Sequence, residues 1–148
     1  MRAPRILIVI PLLVGLYEAN AGVLSPNDYV RLEVRSVPGT MRPGSNGIIE
    51  IRFLPAHGIH INIDPPVSFS LDSTDGLNLK GKTVMTADSG TGYLLTSVPV
   101  TQAVMLDRAI APGQLTIRGT VTYFYCSDAE GWCNRQKEPA EFTILVIP

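Results

Sequence analysis

Cys126 and Cys133 are the only cysteines in a chain of 148 residues, and six residues stand between them. Two thiols at this spacing support either a disulfide, static or exchangeable, or a pair of soft ligands for a metal ion. A bridge closing a loop of about eight residues removes little chain entropy, worth roughly 2.5 kcal/mol, and strain in a tight return subtracts from that. Stability alone is therefore a weak reason for the pair. Exposed, strained disulfides are the exchangeable ones, because exchange needs an accessible sulfur and room for a partner thiol. An ordinary loop staple is the plain alternative.

The elements that must position these sulfurs read as strands. Leu115, Ile117, Gly119, Val121, Tyr123 and Tyr125 alternate with Thr116, Arg118, Thr120, Thr122 and Phe124, the period-two pattern of a half-buried strand. Residues 140–147 form a second apolar run, and the polar segment between the two allows only an antiparallel return through a small loop. The spacing places the cysteine pair at the tip of a β-hairpin. Upstream, strands are expected over 28–36, from Ile48 to a stop at Pro55, over 58–63, 67–71 and 77–85, and again over 93–100 and 102–110. Pro38-Gly39, the cluster from Arg42 to Gly47, Asp64-Pro65-Pro66, the stretch from Asp72 to Gly76, the small-residue loop from Thr86 to Gly92 and Ala111-Pro112-Gly113 break the pattern. No segment carries a helical period. Short strands punctuated in this way predict an all-β, immunoglobulin-like β-sandwich. The two cysteines are too close in sequence to be the inter-sheet bridge of an antibody domain.

The N-terminus predicts export. Arg2 and Arg5 precede the apolar run from Ile6 to Leu16, and Ala19-Asn20-Ala21 is a small-x-small cleavage site, so residues 1–21 read as a signal peptide and 22–148 as one mature domain. The run of eleven residues is short against the about 20 that a membrane-spanning helix needs, which disfavours a retained anchor. Removing Arg2, Arg5 and Glu18 leaves ten basic against twelve acidic residues in 127, a net charge of −2 without a basic cluster. Neither nucleic acid nor an anionic membrane surface is an expected partner. A monomer with no membrane insertion after cleavage is expected, in the periplasm or secreted, where disulfides form.

Other side chains could also carry chemistry. His60 and Asn62 stand two apart on one strand and, facing the cysteines, would donate hydrogen bonds to a thiolate; the plainer role is anchoring the turn before Pro65-Pro66. His57 reads as a solvated loop residue. Trp132, directly before Cys133, serves either as a docking contact or as a cover that folds back on the loop. Cys126, Cys133, His60 and either Met85 or Met105 would suit Cu(I), yet no close-spaced ligand motif supports a metal site, and no cofactor is expected. No Ser-His-Asp order, paired carboxylates or phosphate-binding glycine loop suggests hydrolysis.

The stretch from Gly119 to Cys133, with Gly58-Ile59-His60-Ile61-Asn62 and the Pro112-Gly113 turn, resembles the N-terminal domain of the thiol:disulfide interchange protein DsbD family over most of the mature chain. The resemblance implies an immunoglobulin-like periplasmic module whose cysteine pair relays electrons from a membrane-embedded domain, through a thioredoxin-like domain, to exported disulfide proteins. Cys126 and Cys133 match the redox pair, and Asp128-Ala129 and Gly131 match the loop between them, which holds six residues where the family usually has five. The family's acidic, aromatic capping loop falls near residues 85–92, where Asp88 stands and the first aromatic is Tyr93. The electron donor is then a separate thioredoxin-like or membrane redox protein. The expected function is thiol–disulfide exchange through Cys126 and Cys133, with His60, Asn62, Asp128 and Trp132 in support. The competing expectation is a non-catalytic binding module with a static disulfide.

Overall fold

The computed structural model describes residues 28–73 and 76–148; the expected signal peptide lies outside the described residues. The described chain contains strands and turns and no helix. Its strands are β1 (Val30–Val37), β2 (Thr40–Met41), β3 (Asn46–Pro55), β4 (Ile59–Ile61), β5 (Ser68–Leu71), β6 (Leu77–Val84), β7 (Val100–Leu106), β8 (Gly113–Ser127) and β9 (Trp132–Val146). One sheet has the antiparallel order β1-β3-β7-β6, and the other runs β2-β9-β8-β4 with β5 also paired to β8.

Alternation decides which side chains fill the space between the sheets. On β8, Ile117, Val121, Tyr123 and Tyr125 are buried while Thr116 and Arg118 are exposed; on β9, Glu138, Ala140, Phe142, Ile144 and Val146 point the same way. The first sheet answers with Val30, Ile49, Ile51, Phe53, Val100 and Val104. Phe53 and Tyr123 meet edge to face across the gap, ring centroids 5.1 Å apart. The all-β architecture with two sheets over one apolar core is consistent with a β-sandwich. Glu138 is a carboxylate inside that core, and the Tyr123 hydroxyl donates to it at 2.8 Å. Among buried polar groups this is the satisfied kind.

Two expected segments differ. Residues 93–99 are not a strand: only Leu94 bridges to Ala87, Val98 N–H turns back onto Leu95 O at 3.1 Å, and Pro99 has no N–H to offer a ladder. β7 accordingly starts at Val100, and it ends at Leu106 because the Asp107 carboxylate accepts from Ala109 N–H at 2.8 Å and turns the chain. The polar stretch before Ala140 is also not a loop. It belongs to β9, which pairs residue by residue with β8 back to Trp132.

Gly119 shows how closely these strands approach. A Cβ there would lie 2.5 Å from Ser70 O and 2.7 Å from two ring carbons of Phe69 on β5. Gly119→Ala is expected to destabilise the domain by about 1–3 kcal/mol in chemical denaturation, the range for an overpacked core. A loss below about 0.5 kcal/mol, the size of an ordinary surface substitution, would contradict this packing.

Candidate functional site

The site grows from the register of β8 on β9. Cys126 stands directly opposite Cys133, and the two form a disulfide across the ladder, with residues 128–131 connecting the strands. Gly131 makes the return with a φ of 70°, a conformation that costs glycine nothing, and its N–H donates to Ser127 O at 2.9 Å. Because side chains alternate, both sulfurs lie on the face of the sheet turned away from the core. The two cysteines are not equivalent. Cys126 sits in an interior strand, paired to β9 on one side and β4 on the other, and is 4 % exposed. Cys133 sits on β9 and is exposed.

β4 brings two of the sequence candidates to the disulfide. His60 stands opposite Cys126 in the ladder, and the Asn62 carboxamide oxygen lies 3.4 Å from Cys126 Sγ. A disulfide sulfur carries no proton, so this is a contact rather than a hydrogen bond in the oxidised state. Rotation of the amide would offer N–H donors to a Cys126 thiolate. Asn62 itself is fixed by its N–H donating to Phe124 O at 2.9 Å.

A covering segment completes the site. Residues 86–95 double back on themselves through Asp88 N–H to Tyr93 O at 2.7 Å and Leu95 N–H to Thr86 O at 2.9 Å, and Leu94 N–H docks on Ile61 O of β4 at 2.8 Å. The Asp88 carboxylate gathers Gly90 N–H, Thr91 N–H and the Thr91 hydroxyl at 2.9–3.1 Å. The Thr91 and Gly90 backbone donors hold its carboxyl below the usual carboxylate range. Tyr93 then lies flat on His60, ring centroids 3.5 Å apart, and its hydroxyl donates to both oxygens of Asp128 at 3.2 and 3.3 Å. Partial desolvation, then the negative charge of Asp128, push the Tyr93 phenol above its ordinary value. His60 Nε2 is buried without a hydrogen bond, 3.5 Å from an Asp128 oxygen. Tyr93 thus ties the covering segment to the turn between the cysteines.

Of the sequence candidates, His60, Asn62 and Asp128 converge with the cysteines, and Trp132 does not. Adjacent in the strand, Trp132 points to the opposite face from Cys133 and packs edge-on against Tyr29 and Tyr125, with its indole N–H on Glu130. His57 is an exposed turn residue. Met105 lies on β7 in the other sheet, and the two sulfurs are bonded to each other; among the described residues no group of three His, Cys, Asp or Glu side chains is arranged to hold a metal ion. Sequence reasoning places Tyr93 at the start of a strand, just after the expected capping loop, and misses its contacts with His60 and Asp128. Their signal was the Asx-turn pattern Asp88-Ser-Gly-Thr91, which marks a folded-back loop rather than a strand approach. No family model matches the chain, and no curated protein matches it.

The two shifted groups set a pH window for the covering segment. Asp88, depressed on folding, contributes above the ordinary carboxylate value and loses that contribution as pH falls through its lowered one. Tyr93, raised on folding, contributes below the ordinary phenol value and loses it as pH rises through its raised one. Amide exchange at Leu94 is expected to be slowest between these limits and to quicken beyond both, after correction for intrinsic rates. Tyr93→Phe should remove the alkaline limb and keep the acid one. A Tyr93→Phe profile identical to wild type would show that the Asp128 bond does not hold the segment.

Proposed function

We infer that the protein is an exported thiol–disulfide exchange module of the kind the DsbD N-terminal domain represents: an immunoglobulin-like sandwich with its redox pair at a hairpin tip. Cys126 and Cys133 pass electrons between a thioredoxin-like or membrane redox partner and other exported proteins. The observation that carries this reading is the asymmetry of the pair, one sulfur exposed on β9 and the other 4 % exposed in an interior strand. Exchange needs an attackable sulfur and a leaving group that stays in place. A partner thiolate attacks Cys133 Sγ, the Cys126–Cys133 bond breaks, and Cys126 leaves as a thiolate that takes up a proton. A second partner thiolate then attacks the partner sulfur of the mixed disulfide and releases the dithiol form.

The surroundings of Cys126 support the leaving-group role. Asn62 and His60 stand beside it, and the Tyr93–His60 stack restricts approach from the β4 side. As a staple the bridge has little to do. It joins residues already opposite each other in a ladder of fifteen pairs, next to a turn.

Trapping in the exported compartment tests the assignment. Cys126→Ser, which leaves the exposed sulfur, is expected to accumulate a mixed disulfide with a thioredoxin-like protein. Cys133→Ser, which leaves the buried one, is expected to accumulate at least about tenfold less, since thiol exchange follows access. Trapping through Cys133→Ser alone would reverse the roles, and trapping by neither would favour the static binding module.

A further inference from the structure

We propose that the open edge of β9 from Cys133 to Lys137 is a docking edge, on which an extended, acidic segment of the partner adds as a strand and delivers its cysteine to Cys133. The proposal rests on the reading of Cys133 as the exchanging sulfur and adds how the partner is held and recognised.

Three observations fix which backbone groups of β9 face outward. Pro139 has no N–H and pairs with Thr120, so it must occupy a position where β8 needs no donor. The Cα atoms of Cys126 and Cys133 are 4.1 Å apart, the close spacing of an antiparallel pair that exchanges no ladder hydrogen bonds. Further along, Leu145 N–H donates to Gly39 O at 2.9 Å and Ile147 N–H to Met41 O at 3.0 Å, both on the side away from β8. All four positions have the same parity, so Cys133, Arg135 and Lys137 also direct N–H and C=O outward. Among the described residues no strand pairs with that stretch, since β2 reaches only Leu145 and Val146. Such an edge is the standard template for strand addition.

Charge selects the occupant. Arg135 and Lys137 are exposed on the same face as the disulfide, and neither forms an ion pair with a carboxylate of the described residues, whereas Arg31, Arg35 and Arg118 do. Arg135 lies over the Phe124 ring, 6.0 Å from its centroid. In an added antiparallel strand the residues opposite Lys137, Arg135 and Cys133 recur at every second position, which reads Glu/Asp-x-Glu/Asp-x-Cys. Opposite residues in such a hydrogen-bonded pair stand about 5.5 Å apart, within the span of a disulfide. The partner thiolate attacks Cys133 Sγ as the Cys126–Cys133 bond breaks. The electron pair leaves on Cys126, and the partner's dithiol supplies both electrons of the full reduction.

The test uses the full chain carrying Cys126→Ser and a peptide of pattern Glu-x-Glu-x-Cys whose cysteine bears a thionitrobenzoate leaving group. Cys133 thiolate attacks the peptide sulfur and releases coloured thionitrobenzoate, so the rate is read directly. At low salt the acidic peptide is expected to react about tenfold faster than its Lys-x-Lys-x-Cys counterpart. Adding Lys137→Pro, which deletes an outward N–H at a position of the same parity as Pro139, should slow the acidic peptide about fivefold more than Lys137→Ala does. Neither change should alter the rate with a mercaptoethanol–thionitrobenzoate disulfide, which carries the same leaving group as the peptides and no chain to pair with the edge. Equal rates for the two peptides, with no effect of Lys137→Pro, would overturn the docking edge while leaving exchange intact. Failure of the small disulfide to react would remove the exchange reading and this inference with it. Should Lys137→Pro not fold, hydrogen exchange decides instead: the Arg135 and Lys137 amides are expected to exchange freely in the protein alone and to be protected once the acidic peptide is joined to Cys133. Protection already present in the free protein would overturn the proposal.

Discussion

The uneven pairing of β9 governs the disulfide's surroundings. β8 is bonded on both sides, to β9 along its whole length and to β4 and β5 on the other, whereas among the described residues β9 has β8 on one side and only the short β2 near its end. Two cysteines placed opposite each other across that boundary inherit different environments. Cys126 is enclosed by neighbours and Cys133 is open. The same boundary leaves the backbone of Cys133, Arg135 and Lys137 facing outward, so an attackable sulfur and a strand-pairing edge arise from one feature of the topology. Pro139 limits how far that edge extends, since a strand laid on it finds no donor there.

The second constraint is the covering segment, and its design is local. Asp88 closes the loop with three donors, which frees Leu94 to dock on β4 and sets Tyr93 flat on His60. The phenol hydroxyl then reaches Asp128, in the turn between the cysteines, over 35 residues of sequence. His60 receives no hydrogen bond at Nε2 in this arrangement. Its contribution is the flat apolar surface on which the tyrosine ring lies, beside the buried sulfur.

Much of this was legible in the chain because period-two alternation is a direct signature of strands with one wet face. Leu115 to Tyr125 and Ile48 to Phe53 fell on β8 and β3 for that reason. The start of β9 was hidden: Asn134, Arg135, Gln136 and Lys137 are polar on both faces, so nothing in their pattern distinguishes a strand from a loop. Only the register with β8 reveals it. Tyr93 to Val98 misled in the opposite sense, since an apolar run reads as a strand although its residues serve a loop. Convergence at the site was also only partly legible. His60 and Asn62 share a face by strand parity, but the partnership of Tyr93 with Asp128 and of Tyr123 with buried Glu138 depends on tertiary pairing that no local window contains.

The central claim is that the Cys126–Cys133 bridge is a working redox couple, and its reduction potential tests that most directly. Equilibrating the folded protein in thiol buffers of known potential, with alkylation to count thiols, gives the value. The account predicts a potential above about −270 mV, in the range where thioredoxin-like partners exchange electrons in both directions. A value below about −300 mV, where structural bridges lie, would contradict it.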